Sequence, residues 1–140
     1  MWHMVIEQIQ GSKVIGICEQ PRAMKIVKIK EEAKDIKTFM FKGKIDVRAG
    51  QFVMLWIPRE NQKPFGVSHV KDDEFSITVC KVGEFTEKLF AKKEGDYLGV
   101  QGPYGKPFTI KGIKNAVLVA GGYGAAPLGY LAEELERQGA

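Results

Sequence analysis

Between residues 23 and 57 apolar side chains recur at close to every second position. Met24, Ile26 and Val27, and Ile29 come first, then Ile36, Phe39 and Phe41, then Phe52, Met54 and Trp56 against Val53, Leu55 and Ile57. A period near two sends alternate side chains to opposite faces, and the runs are short and rich in β-branched and aromatic residues, so they predict strands. Ala49-Gly50, Pro58 and the polar stretch 59–62 punctuate them with connections that suit an antiparallel sheet. Further strands are expected over 65–70, 75–80 and 97–101, separated by Lys71-Asp72-Asp73 and Glu94-Gly95-Asp96. Six strands in so short a span predict a small closed barrel. One short helix is expected over about residues 85–92, where Phe85 and Leu89 lie four apart and share a buried face.

The last 25 residues follow a different pattern. Ala116-Val117-Leu118-Val119-Ala120 is an unbroken apolar run, as in a strand covered on both faces. Gly121-Gly122-Tyr123-Gly124-Ala125-Ala126-Pro127 follows, and then a helix in which Leu128, Leu131 and Leu135 share one side. Strand, glycine turn and helix form the opening unit of a nucleotide-binding sheet, where glycines let backbone amides approach a phosphate. One such unit cannot bury both faces of its own strand. It is therefore expected to dock on the barrel or to be completed in trans, by a swap between identical chains or by a separate polypeptide. The expected organisation is an N-terminal extension over 1–22, a barrel domain over 23–112 and the truncated start of a nucleotide-binding domain over 113–140. Within the extension, the loose alternation over 5–17 around Gly11-Ser12 reads as a hairpin or an added edge strand.

Composition narrows the function classes. Hydrophobic residues make up 44% and charged residues 27% of the 140, and no run approaches the ~18 apolar residues of a membrane helix. The net charge of +4 is scattered, which gives nucleic-acid binding little support. Cys18 and Cys80 are too few for a disulfide scaffold and half the four thiolates of an iron–sulfur cluster. His3 and His69 have no partner at ligand spacing, so no metal site is read. The first 20 residues lack a secretory pattern, and a cytoplasmic location is the resulting expectation.

Three stretches carry residue types suited to an anionic, planar ligand. Lys63-Pro64-Phe65-Gly66-Val67-Ser68 joins a cation, a rigid turn and an aromatic ring at a strand start. Gly83-Glu84-Phe85-Thr86 precedes the short helix with free amides and a hydroxyl, which suit a diphosphate and equally suit a helix cap with a core Phe. Gly102-Pro103-Tyr104-Gly105-Lys106-Pro107-Phe108 reads alone as a turn with a packed aromatic.

Taken in order, Gly-Gln-Phe-Val-Met at 50–54, Lys-Pro-Phe at 63–65, Gly-x-x-Thr at 83–86, Gly-Pro-Tyr-Gly at 102–105 and Ala-Gly-Gly-x-Gly-x-Ala-Pro-Leu at 120–128 resemble the ferredoxin reductase superfamily. Within it, the likeness is to the electron-transfer subunits of NAD-dependent dihydroorotate dehydrogenase B, and it covers roughly residues 24–140. The resemblance implies a mainly β fold: a six-stranded antiparallel Greek-key flavin-binding barrel, followed by the first βα unit of a nucleotide-binding α/β domain. It implies electron transfer between NAD(H), FAD and a [2Fe-2S] cluster, on to a partner catalytic dehydrogenase subunit that oxidises dihydroorotate in pyrimidine biosynthesis. Lys63, Pro64, Phe65 and Gly66 occupy the family's Arg-Pro-x-Ser flavin motif, with Phe65 against the isoalloxazine. The resemblance further implies that Thr78, Val79 and Cys80 line the flavin edge, that Gly83, Phe85 and Thr86 hold the FAD diphosphate through amides and a hydroxyl, and that Gly121, Gly122 and Gly124 match the start of the nucleotide site.

Two departures stand out. Lys63 replaces an arginine, and an ammonium cannot make the two-pronged phosphate contact of a guanidinium, so a weaker hold on FAD is expected. Gly66 replaces a Ser or Thr whose hydroxyl would approach the flavin, a contact left to Ser68 or a backbone amide. With two cysteines, these 140 residues are expected to hold no [2Fe-2S] cluster. The alternative function is a non-catalytic barrel that has lost its cofactor and serves as an interaction or assembly subunit.

Overall fold

The computed structural model describes residues 20–140, so the hairpin expected over 5–17, together with His3 and Cys18, lies outside the described residues. Six strands form, β1 (Arg22–Ala33), β2 (Ile36–Lys42), β3 (Phe52–Trp56), β4 (Gln62–Lys71), β5 (Glu74–Cys80) and β6 (Tyr97–Tyr104). A helix, α1 (Glu84–Phe90), interrupts them between β5 and β6. All six neighbouring pairs are antiparallel and close a barrel in the order β1-β2-β5-β4-β3-β6. Three consecutive strands, β3, β4 and β5, lie side by side, and β6 returns after α1 to pair with β3, which is a Greek-key connection. The expected barrel is the one observed.

The hairpins explain themselves locally. Between Ala33↔Ile36 and between Lys71↔Glu74 only two residues turn the chain, and Asp35 (φ 59°) and Asp72 (φ 52°) take the left-handed conformation that a short polar side chain tolerates. Inward-facing residues alternate with outward ones and fill the barrel. Ile26, Phe39, Phe41, Val53, Leu55, Phe75, Ile77, Leu98 and Val100 are all buried there, with Phe41 stacked on Phe75 at 5.3 Å between ring centroids. Helix α1 closes one end with Phe85 and Leu89, the pair expected to share its buried face, and Phe90 packs against Phe39 at 5.9 Å.

The C-terminal segment keeps its helix and loses its strand. Helix α2 (Ala125–Arg137) follows a 3-10 turn at Gly122–Gly124 and buries Tyr130, Leu131 and Leu135 against Ala49, with Val70, Ile110 and Leu128 at the margin. Residues 116–120, by contrast, are not in a strand, and Val117 and Val119 stand 90% and 86% exposed. The reason is pairing. A parallel strand needs a neighbour for its backbone groups, and all six described strands already have two partners in the closed barrel. The helix half of the unit therefore docks on the barrel in cis, whereas the apolar half remains uncovered among the described residues.

Polar contacts lock α2 in place. Tyr130 donates from its hydroxyl to the Val47 carbonyl at 2.8 Å, the Ala49 amide donates to Glu134 Oε1 at 3.3 Å, and His69 Nδ1 lies 2.9 Å from Glu133 Oε2. Burial, and after it the Glu134 carboxylate, push the Tyr130 phenol up to about 12. Unfolded, the same phenol titrates near ~10. Between about pH 10 and 12 the unfolded chain thus holds fewer protons than the folded one, so the contribution is full below pH ~10 and is lost as pH rises towards ~12. Tyr130→Phe is expected to cost about 1 kcal/mol at neutral pH through the orphaned carbonyl, and to flatten the alkaline fall in stability. Urea denaturation from pH ~7 to ~11 checks both; an alkaline slope identical to wild type would contradict the assignment.

Candidate functional site

The start of β4 and the segment leading into α1 face each other across a cavity of about 460 Å³. One wall is the turn carrying Glu60 and Asn61 together with Lys63, Pro64 and Phe65 of β4; the other is Val82, Gly83, Glu84, Phe85 and Thr86. Strand β5 runs directly into this second wall, so the β4–β5 pairing fixes the distance between the two. Two of the three stretches singled out in the sequence, Lys63-Pro64-Phe65 and Gly83 to Thr86, thus meet at one place although β5 separates them in the chain.

The cavity lining mixes apolar and polar residues. The Phe65 ring stacks on Phe85 at 5.9 Å and 28° between planes, and Phe85 is part of the core. Gly83 is extended, and a Cβ built on it meets nothing within 4 Å, so the wall there is open. The Thr86 hydroxyl is fully engaged: it accepts from the Val82 and Gly83 amides at 2.9 and 3.0 Å and donates to the Gly83 carbonyl at 2.8 Å. Its hydrogen bonds hold the turn, and the first-turn amides of α1 are the donors left without an intrahelical acceptor. Lys63 is exposed and has no ion-pair partner among the described residues.

Lys88, outside the lining itself, bridges two residues of it. Its ammonium sits 2.6 Å from Glu60 Oε1 on one wall and 2.9 Å from Glu84 Oε1 on the other. Glu60, and after it Glu84, hold the ammonium above the usual lysine range, and Lys88 in turn holds the Glu84 carboxylate below its usual value. Glu60, Asn61, Val82, Glu84 and Lys88 were not read as site residues from the sequence. Only the four-residue spacing of Glu84 and Lys88 was a visible signal, because Glu60 reaches them through the fold.

The other sequence-derived residues lie elsewhere. Gly66 is beside the cavity on β4, where Pro127 of α2 covers it: a Cβ there would stand 3.2 Å from the proline Cγ. Thr78 bonds to Thr38 at 2.8 Å and to Ser68 at 3.3 Å, Val79 is buried, and Cys80 is half-buried at the end of β5; none of the three lines the cavity. Gly121, Gly122 and Gly124 form the open turn before α2, with space around each, and Cα atoms of that turn come within 8 Å of β5. Tyr104 of the third stretch packs on Phe52 at 5.8 Å, and the Gly105 carbonyl accepts from Gln51 Nε2 at 2.9 Å, so this stretch is a packed turn. No helix among the described residues is long and apolar enough to cross a membrane, and no group of three or more potential metal ligands occurs among them.

No family model matches the chain. Curated relatives do. The chain is 46% identical over 121 residues to a Methanocaldococcus jannaschii protein named "Probable dihydroorotate dehydrogenase B (NAD(+)), electron transfer subunit", covering 86% of this chain and 45% of the relative. A Pyrococcus horikoshii protein of the same name is 49% identical over 104 residues, covering 74% of this chain and 40% of the relative. The chain spans less than half the length of these relatives. Among solved structures, phthalate dioxygenase reductase superposes with a TM-score of 0.78 at 22% identity, over 85% of this chain and 40% of the other. An NADH-dependent reduced ferredoxin–NADP oxidoreductase, described for flavin-based electron bifurcation, superposes with a TM-score of 0.68 at 28% identity, over 83% and 46%. The barrel fold is that of the ferredoxin reductase-like proteins.

Proposed function

We propose, on the premise that this chain is a homologue of the dihydroorotate dehydrogenase B electron transfer subunits, that its barrel holds FAD in the cavity between β4 and α1. In that reading the barrel over residues 23–112 is the flavin domain, and residues 113–140 open a nucleotide-binding domain. The observation that carries it is the meeting of Lys63-Pro64-Phe65 with Gly83 to Thr86 across one open cavity.

The residues fit the group chemically. The Phe65 and Phe85 rings give an apolar surface that excludes water from one side of a planar ligand. Lys63 supplies a positive charge to a diphosphate from one wall, and the first-turn amides of α1 supply donors from the other. Gly83 leaves room for that approach. The role of Thr86 is to shape the turn, since its hydroxyl is already saturated. A bound flavin supplies one- and two-electron chemistry, and the protein's part is binding and electrostatics. In this reading the turn of Gly121, Gly122 and Gly124 is the start of an NAD(H) site, a reading supported by the approach of its Cα atoms to within 8 Å of β5. The electrons pass to a catalytic dehydrogenase subunit, with dihydroorotate as the class of substrate.

The purified chain mixed with FAD is expected to retain a yellow flavin after gel filtration, with perturbed absorbance and altered flavin fluorescence. Protein that emerges colourless from both FAD and FMN would remove this reading and favour an assembly subunit.

A further inference from the structure

Lys88 belongs to none of the motifs and binds nothing that a flavin site needs, yet it ties the two walls of the cavity together. Its ammonium meets Glu60 at 2.6 Å and Glu84 at 2.9 Å, and both carboxylates line the cavity. A phosphate-bearing ligand entering there passes between two negative charges. With Lys88 in place it offsets one of the two carboxylates and Lys63 balances the other, so the cavity is neutral overall; without it, the cavity carries one cation against two carboxylates.

We infer that Lys88 is a positioning residue that makes the cavity acceptable to an anionic cofactor, by offsetting one of the two negative charges of Glu60 and Glu84 and strapping the β3–β4 turn to α1. The inference rests on the flavin reading and goes beyond it, because it assigns selectivity between charged and neutral flavins to a residue outside the binding motifs. Coulomb repulsion at such range acts on the phosphate and leaves the uncharged ring system untouched. Because the groups are partly exposed (Lys88 38%, Glu60 31%, Glu84 82%), the effect is modest and falls with salt.

The experiment is a titration of wild type, Lys88→Met, Glu60→Gln and the triple variant Glu60→Gln/Glu84→Gln/Lys88→Met with FAD and with riboflavin, at low and high salt, with melting temperature recorded for each. Lys88→Met is expected to weaken FAD about fivefold at low salt and to leave riboflavin unchanged. Glu60→Gln and the triple variant, each leaving one more net positive charge at the cavity than wild type, are both expected to tighten FAD at low salt. Unchanged FAD affinity in Lys88→Met, an equal loss for riboflavin, or a triple variant as weak as the single one would each overturn the inference while the flavin reading stands. A wild-type chain that binds no flavin would instead sink that reading, and the inference with it.

Discussion

Phe41→Ala is expected to lower the unfolding free energy by about 3–5 kcal/mol, the largest effect of any single substitution considered for this chain. Phe41 is fully buried, faces into the barrel from β2 and stacks on Phe75 of the neighbouring β5 at 5.3 Å. Truncation removes most of a ring from water-excluded space and leaves a hole lined by residues of a closed sheet, which cannot collapse inward without breaking ladder hydrogen bonds. Net stabilities of single domains lie near 5–15 kcal/mol, so the variant is expected to be partly unfolded at moderate urea. Equilibrium urea denaturation checks this, and a midpoint within error of wild type would show that the ring contributes no packing energy.

Gly83→Leu is expected to abolish most flavin binding while leaving the fold alone. Gly83 sits on the wall of the cavity in an extended conformation open to any residue, and its added Cβ meets no protein atom within 4 Å. The cost is then paid by whatever occupies the cavity. Overpacking of about 1–3 kcal/mol corresponds to a loss of roughly five- to more than a hundredfold in affinity. The melting temperature without FAD is expected to match wild type, whereas flavin retained on gel filtration should fall sharply. A variant that keeps full affinity for FAD would place the cofactor somewhere other than between β4 and α1.

The barrel was legible because its code is local. Alternation over Phe39 and Phe41, or over Val53 and Leu55 against Phe52, Met54 and Trp56, specifies a face and needs no knowledge of the partner strand. Boundaries were less so: β4 begins at Gln62, three residues before the expected start, since Lys63 and Pro64 look like loop residues yet pair with Leu55 and Met54. The run over 116–120 misled for the opposite reason, because a strand covered on both faces is defined by its neighbours and none is available to it among the described strands.

At the site, the Lys63-Pro64-Phe65 and Gly83-x-x-Thr86 stretches could be read because glycine, proline and a cation mark geometry and charge in sequence. That they share a cavity could not, and neither could the saturation of the Thr86 hydroxyl nor the reach of Glu60 to Lys88. Those follow from the pairing of β4 with β5 and the placing of α1 beside the β3–β4 turn.

Closure of the barrel joins the first described strand to the last, with Met24 paired to Leu98 and Arg22 to Val100. During synthesis, β1 therefore waits for almost the whole domain to leave the ribosome before its second edge is covered. Contacts so distant in sequence make folding slow compared with helical proteins of equal size. Until β6 arrives, one edge of β1 and one edge of β3 have no partner, and unpaired edges of this kind are where a chain still folding is open to pairing with others.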